Sequence, residues 1–88
     1  MKRYYIIYEG QVQGVGFRWR LSMLAKTYGL TGYCKNLSNG NVEVEVQGNG
    51  VDEFLQESLK PDYYIEISDY SLKELALVED ERSFVVRY

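Results

Sequence analysis

An α+β fold, with two helices on one face of a mainly antiparallel sheet, is predicted by three features of the sequence. From Val42 to Gln47, valines at 42, 44 and 46 alternate with Glu43, Glu45 and Gln47, the period of a strand with one face on a core. From Phe17, apolar residues recur at Leu21, Leu24, Ala25 and Tyr28, the stripe of an amphipathic helix. Between strand-like runs stands Asn39-Gly40, a strong short-range hairpin signal. With 88 residues, 45% of them hydrophobic, the chain has the material for one small core.

Taken in order, Arg3 to Glu9 is rich in Tyr and Ile and reads as the first strand. Gly10 to Gly16 forms a glycine-rich loop, and the Phe17 helix ends where Gly29 supplies a left-handed cap. Trp19 and Met23 lie off the apolar stripe; Trp19 is expected partly exposed, with the alternative that it covers a site mouth. Leu30 to Leu37 is the second strand and Val42 to Gln47 the third, joined by a type I′ turn at Asn39-Gly40. Alternation with valine puts Glu43, Glu45 and Gln47 in water and argues against acid/base catalysis by that glutamate pair.

Gly48-Asn49-Gly50 breaks the strand, and Val51, Phe54, Leu55, Ser58 and Leu59 mark a second helix stopped by Pro61. Tyr64 to Tyr70 reads as the fourth strand. Ser71 to Arg82, acidic at Glu79-Asp80-Glu81, is expected to be a loop with a short extended piece at Leu75 to Val78. Phe84 to Tyr88 closes the sheet. The order is βαββαβ plus a terminal strand, the ferredoxin-like sandwich.

Composition removes several function classes. The chain has no histidine and one cysteine, so the usual zinc ligand sets and any Ser–His or Cys–His hydrolase are excluded; no metal and no cofactor are expected. Cys34 lies in a strand-like run and reads as a small core residue, with no internal disulfide available to it. A net charge of −3 argues against a nucleic-acid partner. The apolar run after Met1-Lys2-Arg3 extends only from Tyr4 to Tyr8, too short for a signal core or a membrane span, so a cytoplasmic protein without a membrane partner is expected.

The stretch Gly10-Gln11-Val12-Gln13-Gly14-Val15-Gly16-Phe17-Arg18 carries the strongest functional signal. Glycines permit positive φ and let successive N–H groups turn into one concavity, a nest for anions. No Ser, Thr, Asp or Asn caps the following helix near Gly16, which leaves its first N–H groups free for an outside acceptor. Arg18 adds a planar fork matched to two phosphate oxygens. The spacing fits neither the Walker A loop nor the dinucleotide fingerprint. By themselves the loop residues read equally well as a glycine-rich turn with a solvated arginine, and Asn36 reads better as a polar residue at a strand end.

The same stretch resembles the acylphosphatase signature. So does Gly32-Tyr33-Cys34-Lys35-Asn36-Leu37-Ser38-Asn39-Gly40-Asn41-Val42-Glu43, and Ser83-Phe84-Val85-Val86-Arg87-Tyr88 is similar to that family's last strand. The resemblance implies that residues 1–88 form a single acylphosphatase-like domain, hydrolysing the carboxyl–phosphate bond of small acyl phosphates, with inorganic phosphate as product and competitive inhibitor. It further implies a phosphate site at Gln13, Gly14, Val15, Gly16, Phe17 and Arg18, with Arg18 clamping the phosphate and Asn36 orienting the attacking water. A monomer is expected, with the C-terminal carboxylate near the site and paired with Arg18 in the empty enzyme.

Gln11 stands where many members have Arg, and Leu37 where they have a hydroxyl residue, which puts the rate in doubt. Lys60-Pro61-Asp62 is shorter than usual, and the trimmed loop is expected away from the site. The alternative is a non-catalytic ferredoxin-like module for a small ligand or RNA, with some of the nine tyrosines as stacking platforms. Val42-Glu43-Val44-Glu45-Val46 speaks against RNA, because it repels a phosphate backbone. A domain fused in a longer carbamoyl-transfer protein is disfavoured by the missing zinc-binding cysteines.

Overall fold

Alternating apolar residues on three strands and the stripes of two helices close around one core. The computed structural model describes residues 1–88 as β1 (Lys2–Gln11), α1 (Phe17–Thr27), β2 (Thr31–Asn36), β3 (Val42–Gly48), α2 (Val51–Ser58), β4 (Glu66–Leu75) and β5 (Phe84–Arg87). The sheet order is β4-β1-β3-β2-β5, antiparallel except for β5 beside β2. Tyr4, Ile6 and Tyr8 of β1 lie opposite Val46, Val44 and Val42 of β3. With Cys34, Phe17, Leu21, Ala25, Val51, Phe54 and Leu55 they form the buried core.

Both helices start at glycines without a side-chain cap, Gly16 and Gly50. The end of α1 is as the sequence predicts. Gly29 is left-handed at φ 66°, its N–H meets the Lys26 carbonyl at 3.2 Å, and Leu30 N–H meets Ala25 O at 2.8 Å. This is the double bond pattern that uses up the last carbonyls of a helix. The end of α2 is closed from a distance instead. Arg20, on α1, donates through Nη2 to the carbonyls of Glu57 and Lys60, each at 2.6 Å, setting a cation at the negative end of the helix.

Three expectations need correction. The turn between β2 and β3 is not type I′: Asn39 keeps a negative φ and only Gly40, at φ 95°, is left-handed. Gly40 N–H bonds to Leu37 O and Leu37 N–H to Asn41 O, so the loop has three residues, a turn that hands over to a left-handed glycine. The fourth strand begins at Glu66 rather than Tyr64 and continues to Leu75, pairing with β1 across its length. Its outer edge is bare and most of its residues are exposed, so burial imposes no alternation for a sequence reader to find.

Third, the face of β3 away from the helices is not simply solvated. The segment between β4 and β5 must cross from one edge of the sheet to the other, and it is pinned on the way. Arg3, only 3% exposed, donates to Glu45 at 2.9 Å and to Glu81 at 2.8 and 3.1 Å. Gln47 exchanges two bonds with the Val78 backbone, at 3.0 and 2.8 Å, and is buried. Tyr33 donates to Glu43 and Glu45, and Tyr5 to Glu43. The Arg3 guanidinium holds the Glu81 carboxyl below its ordinary range.

One polar pair sits wholly inside the core. Ser58 Oγ donates to Leu55 O at 2.7 Å and accepts from the Tyr8 hydroxyl at 2.6 Å. Burial raises the Tyr8 phenol far above its usual range, so it remains a neutral donor. Removing the serine oxygen orphans that donor. Ser58→Ala is expected to lose about 1–3 kcal/mol in a urea melt. A Tyr8→Phe change in the same protein should recover much of the loss, because no buried hydroxyl is then left unpaired.

Candidate active site

Glycine conformation builds the loop after β1. Gly14 at φ 72° and Gly16 at φ 81° are left-handed with Val15 between them, and no atom lies within 4 Å of where a Cβ would stand on either glycine. The requirement for glycine there is the backbone angle, not space. The backbone N–H groups of Gly14, Val15, Gly16, Phe17 and Arg18 take no protein acceptor; the first helical bond of α1 is Arg20 N–H to Gly16 O at 3.1 Å. These are the unsatisfied donors of a helix start joined to a glycine turn, an arrangement suited to anions.

Phe17 fixes this helix end to the sheet. Its ring is 1% exposed and packs edge-on against Tyr8, 4.9 Å between centroids at 81°. Gln13 fixes the loop. Its Nε2 donates to Leu37 O at 2.7 Å and Asn41 O at 2.8 Å, the two residues flanking the β2–β3 turn. Gly32 lets β2 approach β3 closely at φ 137°, where any Cβ would run into the Glu45 carbonyl.

A cavity of about 320 Å³ opens between the loop, α1 and the ends of β2 and β5, lined by Gly14, Gly16, Phe17, Arg18, Trp19, Ser22, Asn36 and Tyr88, with Val12 and Val86 as apolar walls. Gly14, Gly16, Phe17, Arg18 and Asn36, five of the residues singled out in the sequence, therefore meet at one site. Gln13 and Val15 do not line it: Gln13 turns to the hairpin, and Val15 packs against the core. Asn36 Oδ1 is buried with no hydrogen-bond partner, the one such side-chain atom in the chain. An orphaned acceptor in a core costs about 1–3 kcal/mol and calls for an explanation. Here it belongs to a side chain lining the cavity beside free N–H donors.

Arg18 has two contacts with the end of the chain. Nη1 donates to Arg87 O at 3.3 Å, and the guanidinium carbon lies 4.8 Å from the centroid of the Tyr88 ring. The expected pairing with the terminal carboxylate is not what forms; the carbonyl and the ring take its place, and no ion pair involves Arg18. Trp19 both lines the cavity and is 69% exposed, so the two alternatives for it hold together. Gln13, expected on the phosphate itself, acts instead through a side-chain amide directed away from the cavity, and the Tyr88 ring face is the contact that sequence reading missed.

Residues Lys60 to Asp62 lie outside the lining, as expected of a trimmed loop. No group of three His, Cys, Asp or Glu side chains converges anywhere in the chain. No helix is long and apolar enough to cross a membrane. Cys34, fully buried behind the site, is held by burial at a pKa of about 11 against the opposing pull of Arg18. It remains a thiol at neutral pH and should resist iodoacetamide at pH 8 in the folded protein, reacting only in denaturant; rapid native alkylation would contradict this placement.

The family model described as Acylphosphatase matches residues 4–86. An acylphosphatase of Clostridium beijerinckii is 46% identical over 90 aligned residues, covering all of both chains. The crystal structure of acylphosphatase from Bacillus subtilis superposes with a TM-score of 0.93 at 33% identity, covering 100% of each chain. The structure of an acylphosphatase from Coxiella burnetii does so at 0.87 and 31% identity, covering 98% of this chain and 92% of the other.

Proposed function

Since this chain belongs to the acylphosphatase family and hydrolyses acyl phosphates, we propose that the cavity at the start of α1 is its active site. The observation that carries the assignment is the pairing of opposites there: five free backbone donors and a guanidinium on one side, the unpartnered Asn36 Oδ1 on the other. In this reading the N–H groups of Gly14 to Arg18 and the Arg18 fork surround the phosphoryl oxygens, and Gln13 holds the loop that presents them. Charge on those oxygens in the transition state then meets donors already oriented.

Asn36 takes the water. Once the amide turns to bring Oδ1 out of its buried, unpartnered position, that oxygen accepts a water O–H and aims the water's lone pair at phosphorus, in line with the breaking bond. The water oxygen bonds to phosphorus as the bond to the carboxylate oxygen breaks. The products are the carboxylate and dihydrogen phosphate, which keeps both protons of the water. A carboxylate leaves without protonation, its conjugate acid having a pKa near ~4, and so neither histidine nor another general acid is required.

In the empty site Arg18 rests on Arg87 O and the Tyr88 ring, exposed contacts that a phosphate dianion outcompetes. Leu37 lacks a hydroxyl, but its backbone carbonyl still receives the Gln13 amide, which supports retained activity. The proposal includes a single-domain monomer working in the cytoplasm. Asp69, Lys73 and Glu74 on the exposed β4 edge discourage strand pairing between copies and support the monomer. Nucleic acid is no partner in this reading, since Tyr5 and Tyr33 on the open sheet face are committed to glutamates.

Arg18→Ala should weaken inorganic phosphate binding sharply and lower turnover, whereas Asn36→Ala should bind phosphate normally and lose roughly 10²–10³-fold in kcat. Calorimetric titration with phosphate, run beside steady-state kinetics on benzoyl phosphate, separates the two roles. Normal turnover in Asn36→Ala, or normal phosphate binding in Arg18→Ala, would refute the assignment.

No step above involves a metal ion. Benzoyl phosphate hydrolysis should be unchanged after dialysis against EDTA; activity lost and then restored by Mg²⁺ or Zn²⁺ would refute the protein-only site.

A further inference from the structure

A second cavity, of about 260 Å³, adjoins the first along the groove between α1 and β5, lined by Ser22, Lys26, Leu30, Arg82, Ser83 and Phe84. Ser22 lines both cavities. Arg18, Ser22 and Lys26 are spaced four apart and lie on one face of α1. Phe84 and Val86, two apart on β5, place the two cavities on one side of that strand. The groove therefore runs from the phosphate end at Arg18 to a second basic end at Lys26 and Arg82.

That second end has two cations and no counter-ion. Neither Lys26 nor Arg82 takes part in an ion pair, although acidic residues outnumber basic ones in the chain. Glu81, next to Arg82, is occupied by Arg3 across the sheet. The last turn of α1 favours a cation at Lys26 but gives no reason for Arg82 to face the same cavity from the β4–β5 segment. Two hydroxyls, Ser22 and Ser83, complete a lining suited to an anion.

We propose that this cavity binds a second anionic group on the acyl chain of the substrate. The preferred substrates are then acyl phosphates whose acyl portion ends in a carboxylate or phosphate. This rests on the acyl-phosphate reading of the first cavity and specifies its substrate class. Eight helical steps separate Arg18 from Lys26, about 12 Å along the axis; both side chains lean toward the N-terminus, so the gap is narrowed only by the reach of the flexible Lys26 stem. A linear chain of about six carbons between phosphate and distal carboxylate suits that span. The distal group takes no part in bond breaking and leaves with the carboxylate product.

The test compares hexanoyl phosphate with adipoyl phosphate, equal in chain length and different only in the terminal carboxylate. At low ionic strength the unaltered protein should show a KM about three- to tenfold lower for adipoyl phosphate, the range of one or two exposed ion pairs, and added salt should erase the difference. The double variant Lys26→Gln, Arg82→Gln should lose the adipoyl advantage and keep the kinetics of hexanoyl phosphate, which also reports that the fold and first cavity are intact. Equal KM values for the two substrates in the unaltered protein, or an adipoyl advantage that survives in the double variant, would overturn the proposal while leaving the first site standing. Failure of the unaltered protein to hydrolyse hexanoyl phosphate at all would overturn the acyl-phosphate reading, and this one with it.

Discussion

Two hydrogen bonds from a single side-chain amide connect the parts of this site. Gln13 Nε2 reaches Leu37 O and Asn41 O, so the glycine loop and the β2–β3 hairpin become one body. Asn36 immediately precedes Leu37, and Gly14 immediately follows Gln13. The distance between the free N–H donors and the orphaned Asn36 oxygen is therefore set across two short backbone steps from a shared anchor. A neutral amide suits the task, since it donates to two carbonyls and places no charge near the proposed phosphate site.

The electrostatic design is local. With a net charge of −3 the chain as a whole repels an anionic substrate, so in the proposed site attraction comes from partial charges and one guanidinium close to the phosphorus. The glycine turn supplies such charges without side chains. Asn36 Oδ1 is the counterweight: leaving a buried acceptor unpaired lowers stability, and the surrounding fold tolerates it because Ser58, Gln47 and Arg3 satisfy the other demanding polar groups of the interior.

What the sequence made legible was what burial or backbone angle dictates. The valines of β3, the α1 stripe and Gly29 each obey a constraint that allows few residue types, and Gly14 and Gly16 advertised the loop in the same way. Arg18 and Asn36 entered through resemblance as well, since an arginine near a helix start or an asparagine at a strand end is otherwise ordinary. Partners distant in sequence escaped notice. Nothing near Arg3 announces Glu81, nothing near Arg20 announces the end of α2, and β4 lies on an edge where exposed positions impose no alternation.

Topology explains why three such distant segments share one site. β1 and β2 are both antiparallel to β3, and β5 is parallel to β2, so all three run the same way and finish at the same end of the sheet. The glycine loop leaves the end of β1, Asn36 closes β2, and Tyr88 follows β5. For β5 to take that direction after β4, the chain has to return across the open face, and it does so at the opposite end, where Arg3 and Gln47 hold Glu81 and Val78. Adjacent strands lie ~4.8 Å apart, so crossing from β4 to β5 spans roughly 19 Å, within reach of the eight residues between them in extended form. The ion pair of buried Arg3 with Glu81 thus secures the crossing at one end of the molecule, and β5, running parallel to β2 from there, carries the Tyr88 ring to Arg18 at the other.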